Sequence, residues 1–469
     1  GLLLMVRGEV HTVLGWLDML PDMQLRARPF LFVIQALGLL FTNQLEAVDA
    51  RLQDAEQCAV ADASDDHSRT ILGFVALLRG DTARTRGEIT RCVILSQRAL
   101  EILPATQEIA RRAASLNLAY EFLVNGNVAP RNEHLLREAA RSYDTGDLVA
   151  ALRGVVTLAD FQRRKGRLHQ AATTYREAAG IPPEPLGLRA LINGASYYFG
   201  LGDLLRERNE LGAAQDLLQQ GREMVLAGLN VDAEPTTAGY MALARLQQVR
   251  GESNAALATL AELQEVAQQR TFAPHLLARV AAARAHLALL QGDLPAATQW
   301  ADSSGLHVHD ELTYLHECEY LTLARVRIAE SRSGPADPHL GDTLHFLHRL
   351  MEDAETGSRM DSLIEILVLR ALALHKQGEL NAALAALERA LALAAPEGYV
   401  RVFADEGAPM AALLAQAPAD AYAEKLLAVL RAERIDRAAV PHTATSTSLA
   451  SPPKGEQLTE RELEVLRLL

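Results

Sequence analysis

The chain has 469 residues, a formal net charge of −13 and a pI near 5.6. Hydrophobic residues make up 49% but aromatics only 5%, so the core must be built from Ala and Leu, which suits helices. The acidic balance argues against a broad nucleic-acid-binding face on these residues. Cys58, Cys92 and Cys318 lie too far apart for a CxxC or disulfide framework, which points to a reducing, cytoplasmic setting.

The opening "GLLLMVRGEV" lacks a basic leader and is a poor signal peptide. It reads as the tail of one helix running into a turn, as if the chain starts in mid-structure. No apolar run reaches the ~18 residues of a membrane span. From there a single frame recurs: Gly or Asn, an apolar residue two later, a small or apolar residue five later, then a long amphipathic helix. In chain order it falls at Gly8/Val10/Val13, Asn43/Leu45/Val48, Gly87/Ile89/Cys92, Gly166/Leu168/Ala171, Asn209/Leu211/Ala214, Gly251/Ser253/Ala256, Gly292/Leu294/Ala297 and Gly378/Leu380/Ala383. Asn125-Gly126 marks a further, irregular turn, and "SRSGPADPHLGD" at 331–342 fills the one the spacing leaves open. Neighbouring turns lie roughly 35 to 44 residues apart, in the range of helical repeats. Gly or Asn takes the left-handed conformation that ends one helix. Small residues then let its antiparallel partner approach, and pairs must stack because one pair cannot cover its own apolar face.

The expectation is an all-α superhelical solenoid of antiparallel helix pairs, resembling the tetratricopeptide repeat, over 1–398. Ala371, Leu374, Gly378, Ala383, Leu387 and Ala390 fall at that family's packing positions. Two closing helices are predicted over 399–437, with Pro409 near a helix start. The Ser/Thr/Pro/Ala-rich 438–457 has no apolar period and reads as a flexible linker. In "LTERELEVLRLL" at 458–469, Thr459 and Glu462 form a capping box ahead of Leu463, Leu466 and Leu469.

Motifs that carry chemistry are scarce. There is no GxxxxGK[ST], HExxH or GxSxG, so no catalytic residues are assigned. His307, His309, His316 and Cys318 cluster in "GLHVHDELTYLHECEYLTLAR", but their spacing matches no common zinc pattern, and a loop leading into a packed helix accounts for them. Tyr197, Tyr198, Tyr240, Tyr314 and Tyr320 are candidate ligand-binding residues on the concave face of such an array. Core or rim packing is their other reading.

Three stretches together resemble one family, the large LuxR-type ATP-dependent regulators to which the maltose regulator MalT belongs. In "ELTYLHECEYLTLARVRIAE" the match lies in Glu317, Leu321, Leu323, Ala324 and Arg325. In "APEGYVRVFADEGAPMAALL" it lies in Pro396, Glu397, Gly398, Tyr399, Arg401, Phe403, Glu406, Gly407, Leu413 and Leu414. In "LTERELEVLRLL" it lies in Leu458, Thr459, Arg461, Glu462, Val465 and Leu466. The resemblance implies an array that senses a small-molecule inducer or a regulatory protein, and controls self-association and promoter binding of a larger regulator. That regulator would carry an ATP-binding N-terminal module, and its helix-turn-helix would be cut within the first helix. Promoter DNA and RNA polymerase would then be reached only by the completed protein, and this chain would itself hold no cofactor. A plain protein-interaction scaffold without a small-molecule ligand is the alternative.

Overall fold

A computed structural model describes residues 9–59, 66–141, 148–179, 194–228, 232–332, 334, 337–418 and 420–439. The chain divides into two units, 1–430 and 431–469. Of the second, the described part is the end of a helix. The capping box, Arg461 and nearly all of the expected linker lie outside the described residues.

Helices are the only regular elements among the described residues of the first unit, and it is the stacked-pair solenoid that the repeat predicts. In chain order it contains α1 (Val10–Asp18), α2 (Asp22–Arg26), α3 (Phe30–Phe41), α4 (Leu45–Ala59), α5 (Asp66–Arg86), α6 (Ile89–Ile102), α7 (Glu108–Leu118), α8 (Phe122–Asn125), α9 (Pro130–Ala140), α10 (Leu148–Arg164), α11 (Leu168–Ala179) and α12 (Gly194–Glu207). There follow α13 (Leu211–Leu226), α14 (Ala233–Val249), α15 (Ser253–Gln269), α16 (Pro274–Leu290), α17 (Leu294–Ser303), α18 (Glu317–Glu330), α19 (Pro338–Thr356), α20 (Met360–Gln377) and α21 (Leu380–Ala394). The last are α22 (Arg401–Ala404), α23 (Gly407–Leu414), which contains Pro409, and α24 (Ala421–Ala439), which also supplies the described part of the second unit.

The turn chemistry is as the sequence implies. Asn43, Gly87, Gly126, Gly166, Asn209, Gly251, Gly292 and Gly378 all have positive φ, where glycine and asparagine are least strained. Five residues on, Val48, Cys92, Ala171, Ala214, Ala256, Ala297 and Ala383 are all completely buried. The apolar position two after the turn is less general. Leu45, Ile89 and Leu168 are buried, whereas Leu380 is 37% exposed. The turn supplied by 331–342 is real: Asp337 caps α19 by accepting the His339 backbone N–H at 2.9 Å, next to Pro338.

The pairs form two rows. The helices α3, α5, α7, α10, α12, α14, α16, α18 and α20 each touch the next in that series, and the intervening helices back them. The first row curls far enough for helices distant in sequence to meet, α5 with α14 and α10 with α20 within the row, and α12 with α22 beyond its end. Main-chain bonds seal these crossings: Ala273 N–H to Arg86 C=O at 2.8 Å, Val128 N–H to Gly357 C=O at 3.1 Å, and Val400 N–H to Glu207 C=O at 3.0 Å. One apolar cluster runs from Ala159 to Leu430, with smaller ones under the N-terminal pairs.

Close approach is most demanding at Gly154 in α10. A Cβ there would lie 2.5 Å from the Ala140 nitrogen and 2.7 Å from the Ala139 carbonyl carbon. Backbone cannot swing aside as a side chain can. Gly154→Ala is therefore expected to be net destabilising by about 1–3 kcal/mol despite its better helix propensity, measured as a fall in the urea midpoint.

Candidate functional site

The first-row helices turn many of their charges inward, where they are buried or half-buried inside the coil. Arg163 and Arg164 of α10 flank Asp160, with Nη2 and Nε to its carboxylate at 3.1 and 2.9 Å. Arg163 also reaches Asp361 of α20 at 3.3 Å. In α12, Arg206 holds Asp203 at 2.9 Å, Glu207 at 3.3 Å and Asp405 at 3.2 Å. Arg279 of α16 holds Glu234 of α14 at 2.8 Å. Arg325 of α18 holds Glu365 at 2.8 Å and Glu406 at 2.9 and 2.7 Å. Arg359, at the head of α20, holds Glu317 at 3.0 and 2.8 Å.

Between these groups lie two cavities. The larger, ≈ 240 Å³, is bounded by α10, α12, α14, α16, α18 and α20 and includes Arg245, His286, Tyr314, Cys318 and Glu365 in its wall. The smaller, ≈ 110 Å³, has an aromatic wall of Tyr120, Phe122, Tyr175 and Phe199 beside Ser196, Asp232 and Arg84. Arg163, Arg164, Asp203, Ala238 and Arg279 line both. A wider hollow at Leu294, Pro295, Thr298 and Asp302 is an open dent on α17 alone, with no buried polar group in it.

The setting moves several pKa values. Burial alone would raise the Asp203 carboxyl, but Arg206 first, then Arg245 and Arg163, outweigh it and hold it near 2. Arg279 and His275 likewise overcome burial at Glu234 and hold it near 2. Glu207 goes the other way: burial dominates over Arg206 and the Val402 N–H, and the carboxyl rises to about 7. His286 is kept far below its ordinary value by burial and then by Arg325, Arg245 and Arg206, so its imidazole is neutral. Burial pushes the thiols of Cys92 and Cys318 up to about 12, which leaves them poor nucleophiles.

A folded pKa of about 7 at Glu207, against ~4.3 unfolded, means that the native state binds the extra proton. Its contribution to stability is present at low pH and is lost as pH rises through about 4.3 to 7, by up to about 4 kcal/mol. Asp203 and Glu234 contribute with the opposite sign, present above about pH 4 and lost as pH falls toward 2. Glu207→Gln is expected to flatten the stability profile between pH 5 and 7 while leaving the acid limb in place. Urea titrations at several pH values measure both limbs.

The candidate tyrosines are not gathered together. Tyr314 is in the cavity wall, accepts a hydrogen bond from Arg164 and lies under the Arg359 guanidinium at 4.8 Å. Burial raises its hydroxyl to about 12. Tyr240 is fully buried and donates to Glu262 of α15 at 2.8 Å. Tyr320 is buried against Phe346 and donates to the Glu311 carbonyl at 3.2 Å. Tyr197 and Tyr198 are half-buried and pack on each other, with Tyr197 also against Tyr175. Of the histidine cluster, His307 and His309 are exposed and His316 faces Glu319 at 3.3 Å. No group of three or more metal-ligating side chains occurs among the described residues, and no described helix is long and apolar enough to cross a membrane. Sequence reading passed over Arg245, His286, Asp203 and Glu207. Their only signal is a charge embedded in a helix that is otherwise apolar on nearly every side.

The fold and its interior define a helical-repeat scaffold whose first-row helices enclose a polar, ion-paired centre. More particularly, the model of the MalT-like tetratricopeptide region matches residues 73–420, and the chain belongs to that family. No curated protein matches it in sequence. Among solved structures it is similar to a Rap protein complexed with competence and sporulation factor, at 13% identity over 77% of this chain and 90% of that one, TM-score 0.44. It is also similar to the anaphase-promoting-complex hetero-tetramer Cut9–Hcn1, at 13% identity over 91% and 90%, TM-score 0.36. A signal-transduction ATPase from Pyrococcus horikoshii with a tetratricopeptide repeat sensor is similar at 14% identity over 82% of this chain and 54% of that one, TM-score 0.38. The family assignment rests on none of these three.

Proposed function

We propose that this chain is the effector-sensing region of a LuxR-type transcriptional regulator, with the inducer held in the paired cavities inside the coil. The observation that carries the reading is where the cavities lie. Six first-row helices, from α10 to α20, meet around the larger one, at the crossings where sequence-distant helices touch. An occupant would therefore contact every one of them, and its differential affinity would bias one arrangement of the coil over another. Cavities of ≈ 240 and ≈ 110 Å³ would admit a small metabolite rather than an extended peptide, which favours an inducer over a peptide-binding scaffold. Of the candidate tyrosines, Tyr314 would touch that inducer, a reading supported by its position in the wall of the larger cavity.

In this reading 1–398 is the sensing array, 399–437 closes it, 438–457 is a linker, and Thr459, Arg461 and Glu462 open the first helix of the helix-turn-helix. Binding ATP would fall to an N-terminal module of the complete regulator. Self-association, promoter DNA and RNA polymerase would be engaged by that complete protein, and the array itself does no catalysis. A thermal-shift screen of metabolites, followed by small-angle scattering with any hit, tests the proposal. The expected result is a compound that raises the melting temperature and changes the radius of gyration. Stabilisation by a protein partner alone, with every metabolite inert, would favour the scaffold reading.

A further inference from the structure

Nearly every interior arginine is in direct contact with a carboxylate, several of them with two or three, and the exception points to a ligand. Asp160, Asp203, Glu207, Asp232, Glu234, Glu317, Asp361 and Glu365 each have an arginine within 4 Å. Among the arginines that line the two cavities, Arg245 alone has no carboxylate within that distance among the described residues. Among the described residues its one hydrogen bond runs from Nε to the Met241 carbonyl of its own helix at 3.4 Å, and neither terminal amino group in the wall of the larger cavity has a described partner. Beside it, His286 makes no hydrogen bond or ion pair with any described residue.

More donors are unspent nearby among the described residues, Arg84 Nε and the Tyr399 hydroxyl among them. Arg279, which lines both cavities, has a buried Nε–H without an acceptor, and in the smaller cavity the buried Ser196 hydroxyl has no partner. Buried donors left unpaired are costly, and an oxygen-bearing ligand would satisfy them. The smaller cavity adds the aromatic wall of Tyr120, Phe122, Tyr175 and Phe199, suited to a flat apolar body.

Resting on the sensor reading, we propose that the effector is a small aryl monocarboxylate, its carboxylate on Arg245 and Arg279 and its ring against the aromatic wall. One unpaired guanidinium matches a single negative charge, and its fork geometry suits a carboxylate. A dianion such as phosphate would bring a second charge into a wall whose other cations are already committed. The neutral His286 imidazole, held so by burial and then by Arg325, Arg245 and Arg206, has one N–H to add to the same oxygen.

The test compares phenylacetate, its neutral analogue 2-phenylethanol, and inorganic phosphate by calorimetry and thermal shift on the full chain. Phenylacetate should bind and stabilise, with the alcohol and phosphate weaker by about tenfold or more. Arg245→Gln should weaken phenylacetate by about ten- to hundredfold while the free protein still folds, with at most a modest fall in melting temperature, since it breaks no direct ion pair but removes one of the charges that hold the Asp203 carboxyl down. Should that variant fold poorly, the acid-to-alcohol comparison on the wild type decides alone. Equal binding of the alcohol, or undiminished binding by Arg245→Gln, would overturn the ligand class and leave the sensor reading standing. No stabilisation by these probes or by any compound in a metabolite screen would overturn both.

Discussion

Replacing Arg359 by alanine is expected to cost about 3–5 kcal/mol, the range for removing one partner of a buried ion pair. Arg359 is 2% exposed. Its guanidinium donates to Glu317 at 3.0 and 2.8 Å, to Asp353 at 2.5 Å and to the Gly126 carbonyl at 2.9 Å. Without it, Glu317 keeps one hydrogen bond, from Ser362 at 2.5 Å, and its charge stays buried. The crossing between residues 126–128 and 357–359 also loses a strand of its stitching. Burial already raises the Glu317 carboxyl, and removing the arginine raises it further. The variant must therefore protonate that group or bury a bare charge, a cost that grows with pH above the ~4.3 of the unfolded chain. Urea unfolding should show a larger deficit at pH 8 than at pH 5. Arg389→Ala is the control: its ion pair with Glu355 has side chains 47% and 38% exposed, and such pairs are worth no more than about 1 kcal/mol. Equal losses from the two variants would show that burial does not set the cost of breaking these pairs.

The turns and small packing residues were legible because they are local. A glycine or asparagine in the left-handed region, and an alanine five residues on, are demanded by the geometry of one helix pair wherever that pair lies. The interior was not legible for the opposite reason. Asp203, Arg245, His286 and Glu365 each sit in a helix where sequence periodicity would send a charge to solvent, and only the curl of the first row places α10 against α20 and α12 against α22. The tyrosines show the same limit: Tyr240 and Tyr320 point toward the backing row, and no spacing rule separates them from Tyr314, which points inward. Glu317, Arg325, Arg401 and Glu406 are an intermediate case. In the sequence they match a family pattern with no physical reason attached. The structure supplies one, because Arg325 of the first motif binds Glu406 of the second, and Glu317 binds Arg359.

Arg401 should be the other costly position, and its loss should be local. It is completely buried, donates from Nε to Asp405 at 2.8 Å and from Nη1 to the Asn209 side chain at 3.1 Å. Around it, the Val400 N–H binds the Glu207 carbonyl at 3.0 Å and the Val402 N–H binds the Glu207 carboxylate at 2.9 Å. Residues 400–405 are thus clasped to the end of α12, almost 200 positions earlier in the chain. Arg401→Ala leaves Asp405 leaning on Arg206 alone and is expected to cost about 3–5 kcal/mol. Repeat arrays lose stability piecewise, since each pair depends mainly on its neighbours. Hydrogen exchange should therefore accelerate first at Val400 and Val402 and in α12, with α3 to α5 unchanged. Uniform acceleration along the array would show that the clasp is not a separable unit. Glu207 and Arg206 belong to the clasp and to the wall of the larger cavity together. A ligand held there touches the same side chains that tie 400–405 down, so it should slow exchange at Val400 and Val402 in the wild type and lose that effect in Arg401→Ala.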